Sequence, residues 1–125
     1  MLERLFRSGS LPALETMLTY ASARQRVLAA NVANVDTLGY RTQDLPEDDF
    51  RRALQRAFGG EAPPAGFNPG ASADAGPLKA GGNNVDLELE MAKMARNTLL
   101  HGTAAALVAQ QFALLREAVS GHVSA

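Results

Sequence analysis

At 125 residues the chain has the length of one ordinary domain. Twelve basic residues against thirteen acidic ones leave a formal charge of -1, which removes the global electrostatic case for nucleic acid or an anionic membrane surface as a partner. The absence of cysteine excludes disulfides, thiolate chemistry and cysteine zinc sites.

The opening run MLERLFRSGS lacks the apolar stretch of a cleavable secretory signal, and no segment reads as the roughly 20 apolar residues that span a bilayer. Export, if it occurs, is therefore expected without a cleaved signal peptide, and direct membrane insertion is not expected. Apolar residues at Leu11, Leu14, Leu18, Ala21, Leu28, Val32 and Val35 recur on one face of a helix, with Ser10 placed to cap it and Pro12 suited to its first turn. The first segment, 1–35, is thus expected to be a long helix.

Thr37, Leu38, Gly39 and Tyr40 then read as a type II turn, because the third position needs the positive φ that glycine adopts without a steric penalty. Asn31, Asn34 and Asp36 carry short polar side chains able to satisfy backbone groups released as the helix ends. Residues 36–58 hold this turn, the acidic run Glu47, Asp48, Asp49 and the amphipathic piece FRRALQRAF, whose acids suit a solvated helix start. Residues 59–82 are so rich in Gly, Pro and Ala that a mobile insert is expected.

From 83 to 125 a second long helix is expected. Asn83, Asn84 or Asp86 is placed to cap its start and Gly121 to end it. Leu87, Met91, Met94, Thr98, His101, Ala105, Val108, Phe112, Leu115 and Val119 alternate spacings of four and three, a heptad seam; Leu100, Leu107 and Leu114 form a second stripe beside it. One partner helix covers only one side, so the broader face predicts further neighbours. The fold class is all-α: two long terminal helices packing as an antiparallel coiled-coil-like hairpin. Its packing residues are Leu14, Leu18, Leu28 and Val32 from the first helix and Leu87, Met91, Met94, Val108, Phe112 and Leu115 from the second.

Residues that invite chemistry have plainer readings. His101 has no second ligand at helical spacing, since Asn97 and Ala105 occupy those positions, so packing or interface polarity is expected of it. Glu47, Asp48 and Asp49 lack the glycine of a calcium loop, and Gly81 and Gly82 lack the lysine of a phosphate loop. Arg51, Arg52 and Arg56 are balanced by nearby acids, and Met91 and Met94 fill packing gaps. No catalytic residue, cofactor, metal or small-molecule substrate is expected.

VLAANVANVDTLGYR, followed by Asp44, Leu45 and Phe50, resembles the N-terminal signature of the bacterial flagellar rod, hook and hook-associated family, N-x-A-N-x-x-T-P-G-Y. GNNVDLELEMAKMARNTLLHGTAAALVAQQFALLREAVSG is similar to the C-terminal region of that family's proximal rod subunits. Of the two short proximal subunits, the G-N-N-V-D-L-E-x-E-M run resembles one more than its neighbour, which stays as the alternative. The resemblance implies a non-enzymatic structural subunit of the basal-body rod, exported by the flagellar type III apparatus and assembled with other rod subunits and neighbouring basal-body proteins into a hollow, periplasm-spanning, torque-transmitting shaft. It also implies that Asn31, Ala33, Asn34, Thr37, Gly39 and Tyr40 are assembly contacts. Leu38 departs from the family's proline, which is expected to leave the turn intact with more play. From another class, an amphipathic protein lying on a membrane surface is the alternative.

Overall fold

The computed structural model describes residues 9–123. The first eight residues of the expected N-terminal segment and the last two of the C-terminal one lie outside them, as does the side chain of His122. Among the described residues there are three helices and one very short sheet: α1 (Leu11–Ala33), β1 (Gln43–Asp44), α2 (Glu47–Phe58), β2 (Gly70–Ala71) and α3 (Leu87–Val123).

Pro12 sits in the first turn of α1, where its missing N–H breaks no helical bond. Ser10 does not cap it as expected: its backbone is already helical (φ -87°, ψ -9°), and its hydroxyl instead accepts from Gln111 Nε2 at 3.3 Å. At the far end Asn34 closes the helix on itself, its backbone N–H and its Nδ2 both donating to the Ala30 carbonyl, at 3.1 and 2.8 Å. For α3 the cap among the three candidates is Asp86, whose Oδ1 accepts from the Leu89 amide at 3.2 Å. Glu88 and Glu90 lie in its first turn.

The two long helices pack together along their length. Ser10 meets Gln111, Ala21 meets Asn97 and Asn31 meets Glu90, so chain positions on the two run in opposite order. With 37 residues, α3 is about 55 Å long at 1.5 Å per residue. The segment FRRALQRAF is helical and packs on α1 through Ala53 and Ala57, with Phe50 stacked on Tyr20 at 4.0 Å between ring centroids. Its three acids occupy the first turn, Asp48 and Asp49 pairing with Arg51 and Arg52 one turn on.

The fold is helical as expected, with one pair of two-residue strands added: β1 and β2 pair antiparallel, Gln43 opposite Ala71 and Asp44 opposite Gly70. One expectation is corrected: residues 59–82 are not a structureless insert. Phe67 sets its edge on Tyr20 at 5.3 Å, the Ser72 amide donates to the Thr42 carbonyl at 3.1 Å, and Asp74 pairs with Lys93 at 2.6 Å. Small residues at 70 and 71 let this backbone lie close against β1, a use of Gly and Ala that composition alone reads as looseness.

The expected packing seam is only partly the one within the chain. Leu14 and Leu28 are buried, and Leu18, Val32, Met94, Val108 and Leu115 are half-buried, but Leu87, Met91 and Phe112 lie on the exposed face. The buried residues of α3 are Glu90, Lys93, Asn97 and Ala104, a stripe rotated by one residue, or about 100°, from the apolar one over the first half of the helix. Intrachain packing follows polar partners rather than the greasiest face. A further correction concerns α3 itself: it contains a stretch long and apolar enough, by length and composition, to cross a membrane.

Candidate functional site

The two signature segments, one near each end of the chain, form a single polar site. Asn31 is the centre of it, with no solvent exposure. Its Nδ2 donates to the Gln43 carbonyl at 2.7 Å and to Glu90 Oε2 at 2.8 Å, while its Oδ1 accepts from the Gln43 amide and from the Tyr40 hydroxyl, both at 3.0 Å. A primary amide has two donors and two acceptor lone pairs, and all four are used. Against Gln43 the side chain presents one donor and one acceptor, as a neighbouring strand's peptide group would. The short strand β1 thus lies between β2 and an asparagine that substitutes for a third strand.

The turn after α1 forms as expected. Tyr40 N–H donates to the Thr37 carbonyl at 3.3 Å, and Gly39 has φ +74°. What docks against it was not legible beforehand. Gly39 N–H donates to the Gly81 carbonyl at 2.8 Å, and Asn83 Nδ2 donates to the carbonyls of Asn34 and Thr37 at 2.9 and 2.7 Å. Asn84 accepts from the Thr42 amide through Oδ1 at 2.7 Å, and its own amide donates to the Tyr40 carbonyl. Lys79 closes the approach through a hydrogen bond from Nζ to the Val85 carbonyl. Gly81 suits this place because its φ of +92° is strained for any residue with a side chain. Asn83 and Asn84, expected as capping candidates, are therefore the C-terminal half of the clasp.

A charged layer lies next to it. Arg24 grips Asp44 with two bonds of 2.9 Å, and Lys93, only 7% exposed, lies 3.5 Å from Asp44, 2.6 Å from Asp74 and 3.9 Å from Glu90. Burial by itself would raise the Asp44 pKa, but the Arg24 hydrogen bonds, the Leu45 amide and the charges of Arg24 and Lys93 together outweigh it and hold the carboxyl below its ordinary value. Burial pushes the Tyr40 phenol up, and the Glu90 charge adds to this. Because the folded Asp44 pKa is depressed, its contribution to stability is complete above the unfolded aspartate value near ~4 and is lost as pH falls through the folded value. Urea midpoints measured between about pH 5 and pH 2.5 should fall with acid, and Asp44→Asn, less stable at neutral pH, should flatten that fall; an equally steep acid loss in the variant would assign it elsewhere.

Of the six motif positions, Asn31 spends both donors and both acceptors of its amide within the chain. Asn34 accepts from the Thr37 hydroxyl at 3.0 Å, a local closure of the turn. Tyr40 is half-buried through its bond to Asn31, while Ala33, Thr37 and Gly39 face solvent. His101 is exposed, and among the described residues no group of three or more His, Asp or Glu side chains is placed to hold a metal ion. Arg24, Glu90 and Lys93 escaped the sequence reading. A buried stripe of charged residues at helical spacing is the one signal that could have found the last two.

Fold and site together define a helical structural protein, in which two distant terminal segments are clasped and much apolar surface faces outward. The family described as Flagella basal body rod protein matches residues 15–41, all of α1 but its first four residues together with the turn. The Flagellar basal body rod protein FlgB of Bacillus subtilis (strain 168) is 30% identical over 102 residues, covering 74% of this chain and 78% of the relative. The chain belongs to the flagellar basal body rod proteins of the FlgB type, a family of structural subunits of the flagellum rather than of enzymes.

Proposed function

We propose that this rod subunit forms part of the proximal rod, its long helices making an antiparallel, coiled-coil-like hairpin that stacks with those of other rod subunits into the hollow, torque-transmitting shaft. In this reading 1–35 and 83–125 build the axial domain, the shaft crosses the periplasm, and the chain reaches it unfolded through the flagellar type III apparatus without a cleaved signal. It performs no catalysis. The carrying observation is the apolar surface that α3 leaves outward: Met91 is 58% exposed, Leu99 72%, Leu107 42% and Leu114 55%. Burying each such side chain contributes about 1.5–3 kcal/mol, so this face favours association. Ala33, Thr37 and Gly39 of the motif, together with Leu87, Met91 and Phe112 of the seam, are proposed as surface that meets neighbouring subunits.

The apolar stretch of α3 supports a second reading, association with a lipid bilayer. Against it stand Glu90, Lys93 and Asn97 in the same helix, whose partners lie on α1 and on the segment 70–74, a strap laid across the helices, rather than in lipid. The chain is expected to remain at the bottom of a liposome flotation gradient. Leu107→Glu combined with Leu114→Glu should leave helix content and urea midpoint within about 0.5 kcal/mol of wild type, because both positions are on the surface. The same variant should fail to enter basal bodies and leave cells non-motile. Normal swimming of that strain would sink the assembly reading.

A further inference from the structure

We infer that the buried polar groups between α1 and α3 are a register-setting device, fixing the axial position of one long helix on the other. This deepens the rod reading, because a shaft built from such hairpins inherits its subunit length from that register.

The apolar part of the packed faces, with Leu11, Leu14 and Leu28 buried and Met94, Val108 and Leu115 half-buried, is non-directional and does not by itself choose one position. The buried residues of α3 are Glu90, Lys93, Asn97 and Ala104, and α1 opposes them with Ala21, Leu28 and Asn31, all fully buried. Apolar helix faces fit one another in several positions, and the heptad pattern repeats after seven residues, a slide of about 10.5 Å. Polar pins do not tolerate such a slide. At one end Asn31 bonds Glu90 at 2.8 Å across 59 residues of sequence; at the other Asn97 Nδ2 donates to the Ala21 carbonyl and to Gln25 Oε1, both at 2.8 Å. Seven residues separate Glu90 from Asn97, so the two pins are about two turns apart on one face of α3, and a shift of one heptad would strand at least one buried amide or carboxylate. Buried polar residues fix register in helical packings through this penalty, at a cost in stability.

The test reads register directly in the full chain at high dilution. Ser10→Cys with Gln111→Cys reports the native position, since Ser10 Oγ lies 3.3 Å from Gln111 Nε2. Ser10→Cys with Ala104→Cys or with Ala118→Cys reports a slip of one heptad either way. In the otherwise wild-type chain only the native pair should cross-link with a short bis-thiol reagent. With Asn31→Leu, Glu90→Leu and Asn97→Leu added, which removes both pins, helix content should persist, native cross-linking should fall several-fold, and a slipped pair should appear. Native-only cross-linking in that variant overturns the inference. Should that variant lose its helical signal, Asn31→Ala with Asn97→Ala, which removes the amide from each pin, is read with the same pairs, and native-only cross-linking there overturns it equally. Cross-linking involves no rod, so this outcome is separate from the motility result that tests assembly.

Discussion

Asn31→Asp is expected to destabilise the chain by about 3–5 kcal/mol, a large fraction of the roughly 5–15 kcal/mol that holds an ordinary domain folded. The substitution changes one NH₂ to oxygen, so volume is not the cause. It removes both donated bonds, to Gln43 and to Glu90, and sets a carboxylate 2.8 Å from the Glu90 carboxylate at a site with no solvent exposure. Two like charges at that distance in a dry site cannot both persist, so one must protonate or the helices must part. Urea titration followed by far-UV dichroism gives the number. Asn34→Asp is the control: that side chain bonds only within its own turn and reaches water, so a change of about 1 kcal/mol or less is expected. Equal losses in the two variants would mean that Asn31 is no more internal than Asn34.

Lys93→Ala is expected to cost a similar amount, about 3–5 kcal/mol, and by the mirror-image argument. Its ammonium is shared by Asp44, Asp74 and Glu90. Without it Glu90, 2% exposed, keeps its charge with no cation beside it, and the strap carrying Asp74 loses its ionic anchor. Lys93→Met restores the packing of the stem but not the charge and should recover only a minor part. Arg51→Ala sets the scale for an ordinary ion pair. Its partner Asp48 is 78% exposed, and about 0–1 kcal/mol is the usual worth of such a contact. A Lys93→Ala midpoint indistinguishable from that of Arg51→Ala would show that the buried layer is solvated in solution.

Both predictions concern residues whose importance depends on partners far along the chain, and this separates what could be read early from what could not. The helices were legible because their signals are local: apolar residues at threes and fours, Pro12 in a first turn, Asp86 before an apolar run, a glycine at the one turn position needing positive φ. The rod-family signature was legible for the same reason, as a continuous string. Periodicity also located a greasy stripe on α3, but it did not say which stripe meets α1. That choice went to Glu90, Lys93 and Asn97, which look like solvent-facing residues until their partners are in place.

The sequence alone therefore determined two long helices, the turn between α1 and β1 and the family. Tertiary structure decided that the two signatures are halves of one clasp, that 70–74 is a strap rather than a free loop, and that Asn31 faces inward. The physical reason is that apolar burial is non-directional and shows itself as local periodicity, whereas a buried hydrogen bond or ion pair is defined by its partner. Apart from Glu90 and Lys93, one turn apart on α3, those partners lie from 9 to 76 residues away, beyond the reach of any local pattern.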